Sequence, residues 1–517
     1  MDLVTAAQMR RMDLETIDTL GLPGIVLMER AALGATDTIL TNHPNARCVG
    51  IICGGGNNGG DGFAIARMLT HSGVDAIVIM LADPAKLTGD AATNYAIIET
   101  LDLQIHCMHE VEDNLFISEL LAIPHCDVWC DAMLGTGLDR PLQGKYATAA
   151  QFLNDRDNVV AIDIPSGLDA DTGQPIGEHV VEASMCITFA YPKIGQVVYP
   201  GRAYCGELHV ADIGIPRIIA ERVGFGGVLI NEQWVSSSLR PRPLEAHKGT
   251  AGKLLLLAGS DALSGAALLC ARGALLGGAG LVTVGTTRDV VPRVSVAVPE
   301  AMAAEVIADT FTDEHRRELQ QQLDRSDVVA MGPGLGQSDS LCELLEHVLL
   351  DPRQPLILDA DALNLVANHD LHQSLRRGSM RRQIVLTPHP GEMARLANVP
   401  LRDILKHPLL HAQDFAQVTQ CVVVLKLAST IIAGPDGRLA INSSGNPGMA
   451  SGGTGDALTG LLAAQLAERT DAFEAACVAT WIHGAAGDAC RDERGIHATT
   501  ASGVLDHVGR VFARVES

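Results

Sequence analysis

At 517 residues, 47% of them hydrophobic, the chain is long enough for two or three domains with full cores. A formal net charge of −23, from 38 Lys+Arg against 61 Asp+Glu, argues against nucleic acid as a general partner. No stretch reaches the ~18 uninterrupted apolar residues of a membrane span, and 52 Gly with only 3% aromatics suit an α/β fold, in which helices pack closely on a parallel sheet.

The 12 Cys are scattered singly, with neither a CxxC pair nor zinc-type spacing, which reads as reduced thiols. The N-terminal residues are acidic throughout and hold no apolar core of signal-peptide type, so a cytoplasmic location is expected. With so acidic a chain, an anionic ligand must be held by local Gly-rich loops and single cations.

Residues 4–19 read as an amphipathic helix and residues 25–40 as a second, separated by the turn Gly21-Leu22-Pro23-Gly24. The run CVGIIC at 48–53 has the character of a buried parallel strand. It enters Gly54-Gly55-Gly56-Asn57-Asn58-Gly59-Gly60-Asp61-Gly62, and a helix follows through Ser72. Strand, glycine loop, helix is the layout of a phosphate or nucleotide site at the carboxyl end of a sheet strand. Two Asn interrupt any GxGxxG fingerprint, and their carbonyl oxygens also suit a cation.

Further strands are expected at 76–81, 127–130, 159–164, 183–190 and 207–213. Asp131 stands before Gly135-Thr136-Gly137, Asp163 beside Pro165-Ser166-Gly167, and Lys193 closes Tyr191-Pro192-Lys193. A single Asp after a strand is more often a turn former or a helix cap. Four such loops in succession should instead converge, because strand ends in an open α/β sheet share one crevice.

Together NNGGDG, DAMLGTGL, DIPSGLDADTG and the Pro-Lys pair resemble the NAD(P)H-hydrate epimerase family over roughly residues 1–223. The resemblance implies a Rossmann-like domain in which Asn57, Asn58, Gly59, Gly60 and Asp61 line the hydrated nicotinamide nucleotide. Gly135, Thr136, Gly137, Leu138, Asp139, Arg140 and Pro141 would line it as well. It further implies Asp163 as the acid–base group on the nicotinamide hydrate, Lys193 beside it, and a potassium ion held by Asn58, Asp131 and Ser166. Where the family carries Thr-Xaa-Pro-Lys, this chain has Ala190-Tyr191-Pro192-Lys193.

A Gly-rich junction, Val223-Gly224-Phe225-Gly226-Gly227, and a Pro-rich arm, Arg240-Pro241-Arg242-Pro243, mark a domain boundary at about 223–245. Strand-like runs follow at 228–230, 253–258, 281–284, 327–331, 355–358, 384–387 and 422–425, with a hairpin turning at 435–438. Nearly every one discharges into a loop bearing Gly, Asp, His or Lys. The last of these loops is the centre of the chain: Asn446-Pro447-Gly448-Met449-Ala450-Ser451-Gly452-Gly453-Thr454-Gly455-Asp456, running into an apolar helix. Exposed N–H groups at a helix start favour a phosphate. A carboxylate beside a bound phosphoryl group can take the proton of an attacking hydroxyl. A lone GxGD is more often a glycine loop with an Asp cap; its company here favours chemistry.

That company, GPGLG, LDADALN, TPHPGE, Lys-Xaa-Xaa-Xaa-Thr and NPGMASGGTGD, is similar to the ribokinase-like superfamily and, within it, to ADP-dependent NAD(P)H-hydrate dehydratases, over nearly all of residues 228–510. The resemblance implies two doubly wound α/β domains, 1–223 and 224–517, the second ribokinase-like. It implies ADP bound by Lys426, Leu427, Ala428, Ser429 and Thr430 and by the run Asn446 to Gly455, with Lys426 neutralising phosphate charge. Ala266, Gly336, His389 and Asp456 would touch the hydrate, Asp456 as base, and Glu392 would serve a magnesium ion indirectly. The family's Lys-Gly-Ala-Xaa-Thr appears here as Lys426-Leu427-Ala428-Ser429-Thr430, which places a side chain near the nucleotide.

The implied substrates are NADHX and NADPHX, the hydrated forms of NADH and NADPH, with ADP as donor, K+ in the first half and Mg2+ with ADP in the second. Neither nucleic acid nor membrane is an expected partner, and a homo-oligomer is. Two rivals stand beside this: a small-molecule kinase of the ribokinase type, and a first half that binds nucleotide without catalysis. The attached NNGGDG domain speaks against the first, and the presence of Asp163 and Lys193 against the second.

Overall fold

In the computed structural model, which describes residues 1–351 and 353–517, contacts divide the chain into two units, 2–227 and 228–517, with Met1 counted in the second.

The first unit is built on a wholly parallel sheet of β1 (Cys48–Cys53), β2 (Asp75–Met80), β3 (Gln104–Cys107), β4 (Val128–Ala132), β5 (Val159–Ile162), β6 (Met185–Phe189) and β7 (Glu207–Ala211). Its order is β3-β2-β1-β4-β5-β6-β7, so the winding reverses between β1 and β4. β4, β5 and β6 are buried at every position because helices cover both faces, and they are apolar apart from Asp131 and Thr188. The expected helix at 4–19 is shorter: an α-helix spans Ala6–Leu14, with Thr5 as its cap, and a wider π turn follows at Glu15–Thr19. Val4 lies outside the helix and forms a parallel bridge to Lys193, its N–H reaching Pro192 O at 3.1 Å while its carbonyl accepts from Ile194 N at 3.1 Å.

The second unit carries β8 (Gly227–Ile230), β9 (Lys253–Leu257), β10 (Leu281–Thr286), β11 (Met302–Glu305), β12 (Val328–Met331), β13 (Leu356–Leu358), β14 (Ile384–Leu386), β15 (Val422–Leu425), β16 (Ile431–Ala433) and β17 (Leu439–Asn442). They follow the order β8-β17-β16-β15-β14-β13-β12-β9-β10-β11. All pairs are parallel except those of the β16 hairpin with β15 and β17. The reversal falls at β9, between β12 and β10. Helices Ser264–Leu276, Thr454–Glu468, Ala472–Arg494 and Ala501–Val515 share one core with β9 and β10.

Both units are therefore doubly wound α/β sheets, and a crevice for a ligand is expected at each reversal point, off the carboxyl ends of the strands. Among the described residues no helix is long and apolar enough to cross a membrane. All 12 cysteines are free.

Candidate active sites

At the first reversal point, the loops after β1 and β4 touch: a Cβ on Gly54 would lie 1.9 Å from the Met133 carbonyl oxygen, so only glycine fits. Gly59 and Gly60 likewise turn inward, onto Gly54 and Met28. Beyond them opens a cavity of about 810 Å³, lined by Asn57, Asn58, Asp61, the whole run Gly135 to Pro141, Asp163 and Lys193. The structure thus gathers most of the expected substrate residues around one space, with Gly59 and Gly60 packed behind it.

Asp163 follows β5 in the left-handed region, at φ +66°, a conformation Asp tolerates better than most residues. Its Oδ1 accepts from Lys193 Nζ at 2.7 Å. Lys193 is fully buried and also donates to Thr188 Oγ1 at 2.8 Å. Gln196 clamps the pair, donating to the Asp163 carbonyl at 2.7 Å and accepting from Lys193 N at 2.8 Å. A buried ammonium is tolerable only with such partners.

Beneath the cavity, Asp131 accepts from Ser166 N and Ser166 Oγ, both at 2.7 Å, and from Met133 N at 3.1 Å. Burial nevertheless pushes its carboxyl up to about 6, against those donors. Both amide atoms of Asn58 are buried without a hydrogen-bond partner. An orphaned buried amide oxygen, together with a buried carboxylate that has no cation partner among the described residues, suits a bound monovalent cation.

Three cavity-lining residues, Arg10, Asp13 and Asp90, carry no signal in the sequence beyond their place on amphipathic or polar helices. Asp13, on the helix Ala6–Leu14, is pushed up to about 6 by burial, with Lys193 opposing and Asp163 adding. Asp61 is raised well above the usual carboxylate range, first by burial and then by Asp163 and Asp13.

In the second unit Asp456 is the third residue of the helix Thr454–Glu468, which Gly453 enters at φ +91°. The first N–H groups of a helix have no acceptor within it and stabilise an anion placed there. Burial pushes the Asp456 carboxyl up to about 6, with Asp359 adding and Lys426 opposing. Asp359, at the end of β13, is the hub of this site. Its Oδ1 accepts from Lys426 Nζ and Thr387 Oγ1, both at 2.7 Å, and its Oδ2 from Thr459 Oγ1 at 2.8 Å. A Cβ on Gly455 would stand 3.4 Å from Lys426 Nζ and 3.9 Å from Asp359 Oδ2, so the glycine loop lies directly over this pair. Lys426, expected to neutralise phosphate charge, is ion-paired with Asp359 within the protein. Burial works against its charge, yet Asp359 and Glu392 outweigh it and hold the ammonium above its usual range.

His389 caps the helix Pro390–Ala397, its Nδ1 accepting from Gly391 N at 3.0 Å and Glu392 N at 3.3 Å. That leaves the ring proton on Nε2, 3.4 Å from Glu392 Oε1, with the side chain still 51% exposed. Burial, Lys426 and Arg395 lower its pKa, so the ring is neutral. Ala266 and the loop after β12 are adjacent, since a Cβ on Gly334 would meet Ala266 Cβ at 2.8 Å, and Gly336 N donates to Asp361 Oδ2 at 2.8 Å. Asn446 is braced by Asp488 at 3.0 Å, Gly445 N by the same carboxylate at 2.8 Å, and Thr454 Oγ1 donates to Ser451 O at 2.9 Å. Thr430 Oγ1 donates to Leu427 O at 3.1 Å, closing the loop of Leu427, Ala428 and Ser429, with Ser429 buried. Asp359, Asp361 and Asp488 were not singled out from sequence; the first two stand in the strand-end motif LDADALN, whereas Asp488 lies inside a helix.

The family described as YjeF-related protein N-terminus matches residues 24–195, and that described as NAD(P)H-hydrate dehydratase matches 254–509. Over 523 aligned residues, 100% of this chain and 97% of the relative, the chain is 38% identical to a bifunctional NAD(P)H-hydrate repair enzyme of Moorella thermoacetica. It is 34% identical to the protein of that name from Escherichia coli, over 98% of this chain and 93% of the relative. A crystal structure of a ribokinase-like superfamily protein from Enterococcus faecalis, 26% identical, matches 56% of this chain and 98% of its own with a TM-score of 0.50.

Proposed function

This chain belongs to the bifunctional NAD(P)H-hydrate repair enzymes, and on that premise we propose how its halves divide the work. Residues 1–223 interconvert the R and S hydrates of NADH and NADPH. Residues 224–517 dehydrate the S form, with ADP as phosphoryl donor. The observation that carries the second half is the carboxylate of Asp456 in the first turn of a glycine-entered helix whose Gly455 lies over the ion pair of Lys426 and Asp359.

In that site Asp456 accepts the proton of the substrate hydroxyl, whose oxygen attacks the terminal phosphorus of ADP. A new O–P bond forms as the bond to AMP breaks, and the N–H groups of the 452–455 loop stabilise the charge on the transferring group. Phosphate then leaves with the oxygen, the neighbouring ring carbon gives up a proton, and the dihydropyridine of NADH or NADPH is restored. Glu392 would serve a magnesium ion bound with the nucleotide, which supplies further neutralisation of phosphate charge. Lys426, held charged by Asp359, adds a fixed positive charge under the loop.

In the first half, Asp163 with Lys193 forms the acid–base pair at the nicotinamide hydrate. Asn58, Asp131 and Ser166 would hold a potassium ion, which supplies positive charge near an otherwise acidic cavity. Because a chiral dehydratase site accepts one epimer, the first half keeps the other from being stranded.

The test is the near-ultraviolet absorbance of reduced nicotinamide, followed on mixed epimers with K+ and Mg2+ and with ADP or ATP in turn. Full recovery by the wild type, but fast recovery of only the S fraction by Asp163→Ala, supports the division. No recovery with either nucleotide, while phosphate is still transferred to another small molecule, leaves a kinase instead. Replacing K+ with Na+ slows the R fraction alone if the first-half cation is potassium.

A further inference from the structure

Epimerisation by loss and return of water needs two groups. One must protonate the departing hydroxyl, and one must deprotonate the water that comes back on the opposite face. Asp163 is an ion-paired carboxylate, suited to take a proton. Lys193, the other assigned group, is fully buried and already donates to Asp163 Oδ1, Thr188 Oγ1 and the Phe189 carbonyl, which leaves the donor to the departing hydroxyl unfilled.

The first helix supplies a candidate. Asp13 lines the same cavity as Asp163 and Lys193 but approaches it from a different element, the helix Ala6–Leu14. That helix is fixed on the site from both ends of its N-terminal segment: Val4 bridges the backbone on either side of Lys193, and Ala6 N donates to Asp171 Oδ1 at 2.7 Å. Met9 and Met12 bury one side of the helix, and Arg10 reaches the cavity beside Asp13. Among the described residues no donor hydrogen-bonds the Asp13 carboxyl and no cation pairs with it within 4.0 Å, whereas Lys193 is 2.7 Å from Asp163. No hydrogen bond joins the two carboxyl groups, and both face the one cavity. Asp61 is a poorer candidate, being almost wholly enclosed at 8% exposure.

We propose that Asp13 is the proton donor of the epimerase site, working opposite Asp163. This rests on the epimerase reading of the first half. The proton passes from the Asp13 carboxyl to the hydroxyl oxygen as the carbon–oxygen bond breaks, and the lone pair of the adjacent ring nitrogen fills the vacancy on carbon. Water then adds to that carbon from the other face and loses a proton to Asp163. One proton has moved from Asp13 to Asp163 by way of water, no oxidation state has changed, and exchange with solvent, or the reverse reaction on the other epimer, resets both carboxyls. The burial that raises the Asp13 carboxyl to about 6 keeps an appreciable share protonated near neutrality, as a donor requires.

The experiment uses the full chain and two separated substrates. NADH appearance from (S)-NADHX reports the second half alone, and appearance from (R)-NADHX reports epimerisation first. Without ADP, uptake of heavy oxygen from labelled water into the substrate hydroxyl reports loss and return of water. The expectation is that Asp13→Asn slows the R substrate and the oxygen exchange together by about a hundredfold, leaves the S rate and the R-substrate KM within about threefold, and is partly rescued by Asp13→Glu. Asp13→Asn epimerising at the wild-type rate, or wild-type epimerisation without oxygen exchange, would overturn the proposal. If Asp13→Asn does not fold, Asp13→Glu decides: failure of a folded glutamate variant to recover any epimerisation above background counts against it. A wild type that consumes the S substrate and never draws on the R substrate sinks the epimerase reading itself, which is a different result.

Discussion

Lys426 Nζ sits 2.7 Å from Asp359 Oδ1, and the pair lies directly beneath Gly455 of the loop that starts the Asp456 helix. Asp359 follows β13 and Lys426 follows β15, so one contact joins loops 67 residues apart beneath the turn at Gly455. The positive charge under the loop is thus a property of a pair, in which Asp359 is buried, Lys426 is half-buried, and each offsets the charge of the other.

Asp359→Asn should therefore destabilise the second half more than its loss of one hydrogen bond suggests, by about 2 kcal/mol, because it removes the nearest counter-charge of a largely buried ammonium and leaves only Glu392, at 4.0 Å. Asp359→Asn combined with Lys426→Met should recover part of that, since neither charge is then left alone. Urea unfolding, read by a probe in the second half, checks both. Equal midpoints for the single and double variants would show that the pair does not hold this site together.

The Asp456 carboxyl, raised to about 6 from 3.8, makes the dehydration rate pH-dependent in a defined direction. A base must be ionised, and this one takes up its proton as pH falls through about 6. The rate from (S)-NADHX should then drop about tenfold per pH unit below that point. The sign for stability is opposite. A carboxyl whose folded pKa is raised favours the fold while protonated, and that contribution is full below about 4 and is lost as pH rises through about 6. Asp456→Asn should accordingly be nearly inactive, yet more stable than the wild type at pH 7 by about 1 kcal/mol. A variant that is both inactive and less stable would point to a structural role.

Much of this was legible in the sequence because strand ends in doubly wound sheets carry their chemistry in short, recognisable loops. The glycine loop after β1, Asp163 after β5 and the Gly453–Asp456 turn were readable for that reason. Two strands were not. Gln104–Cys107 and Met302–Glu305 lie at the outer edges of their sheets, where one side has no neighbour to bury it, so their residues are half-exposed and carry no apolar run. Asp13 and Arg10 were missed for a different reason: on an amphipathic helix a charged residue facing a cavity looks the same as one facing water. Asp359 was visible as a strand-end residue but ambiguous, because its use depends on Lys426, Thr387 and Thr459 arriving from elsewhere in the chain.

The helix that carries Asp456 is positioned by close packing against the helix Ser264–Leu276, and two glycines separate packing from propensity. A Cβ on buried Gly460 would fall 1.9 Å from the Cys270 carbonyl oxygen and 2.8 Å from Ala274 N, both backbone atoms that cannot swing away. Exposed Gly509, in the helix Ala501–Val515, meets nothing within 4 Å. Gly460→Ala should therefore cost about 3 kcal/mol through overpacking, and it should slow dehydration as well, since pushing the helices apart shifts Asp456 relative to Lys426. Gly509→Ala should instead stabilise by about 0.5–1 kcal/mol through helix propensity alone, with the rate unchanged. Thermal unfolding of the two variants, measured beside the (S)-NADHX rate, checks the argument. If Gly460→Ala matched Gly509→Ala in both readings, the close helix contact could not be what holds the Asp456 carboxylate in place.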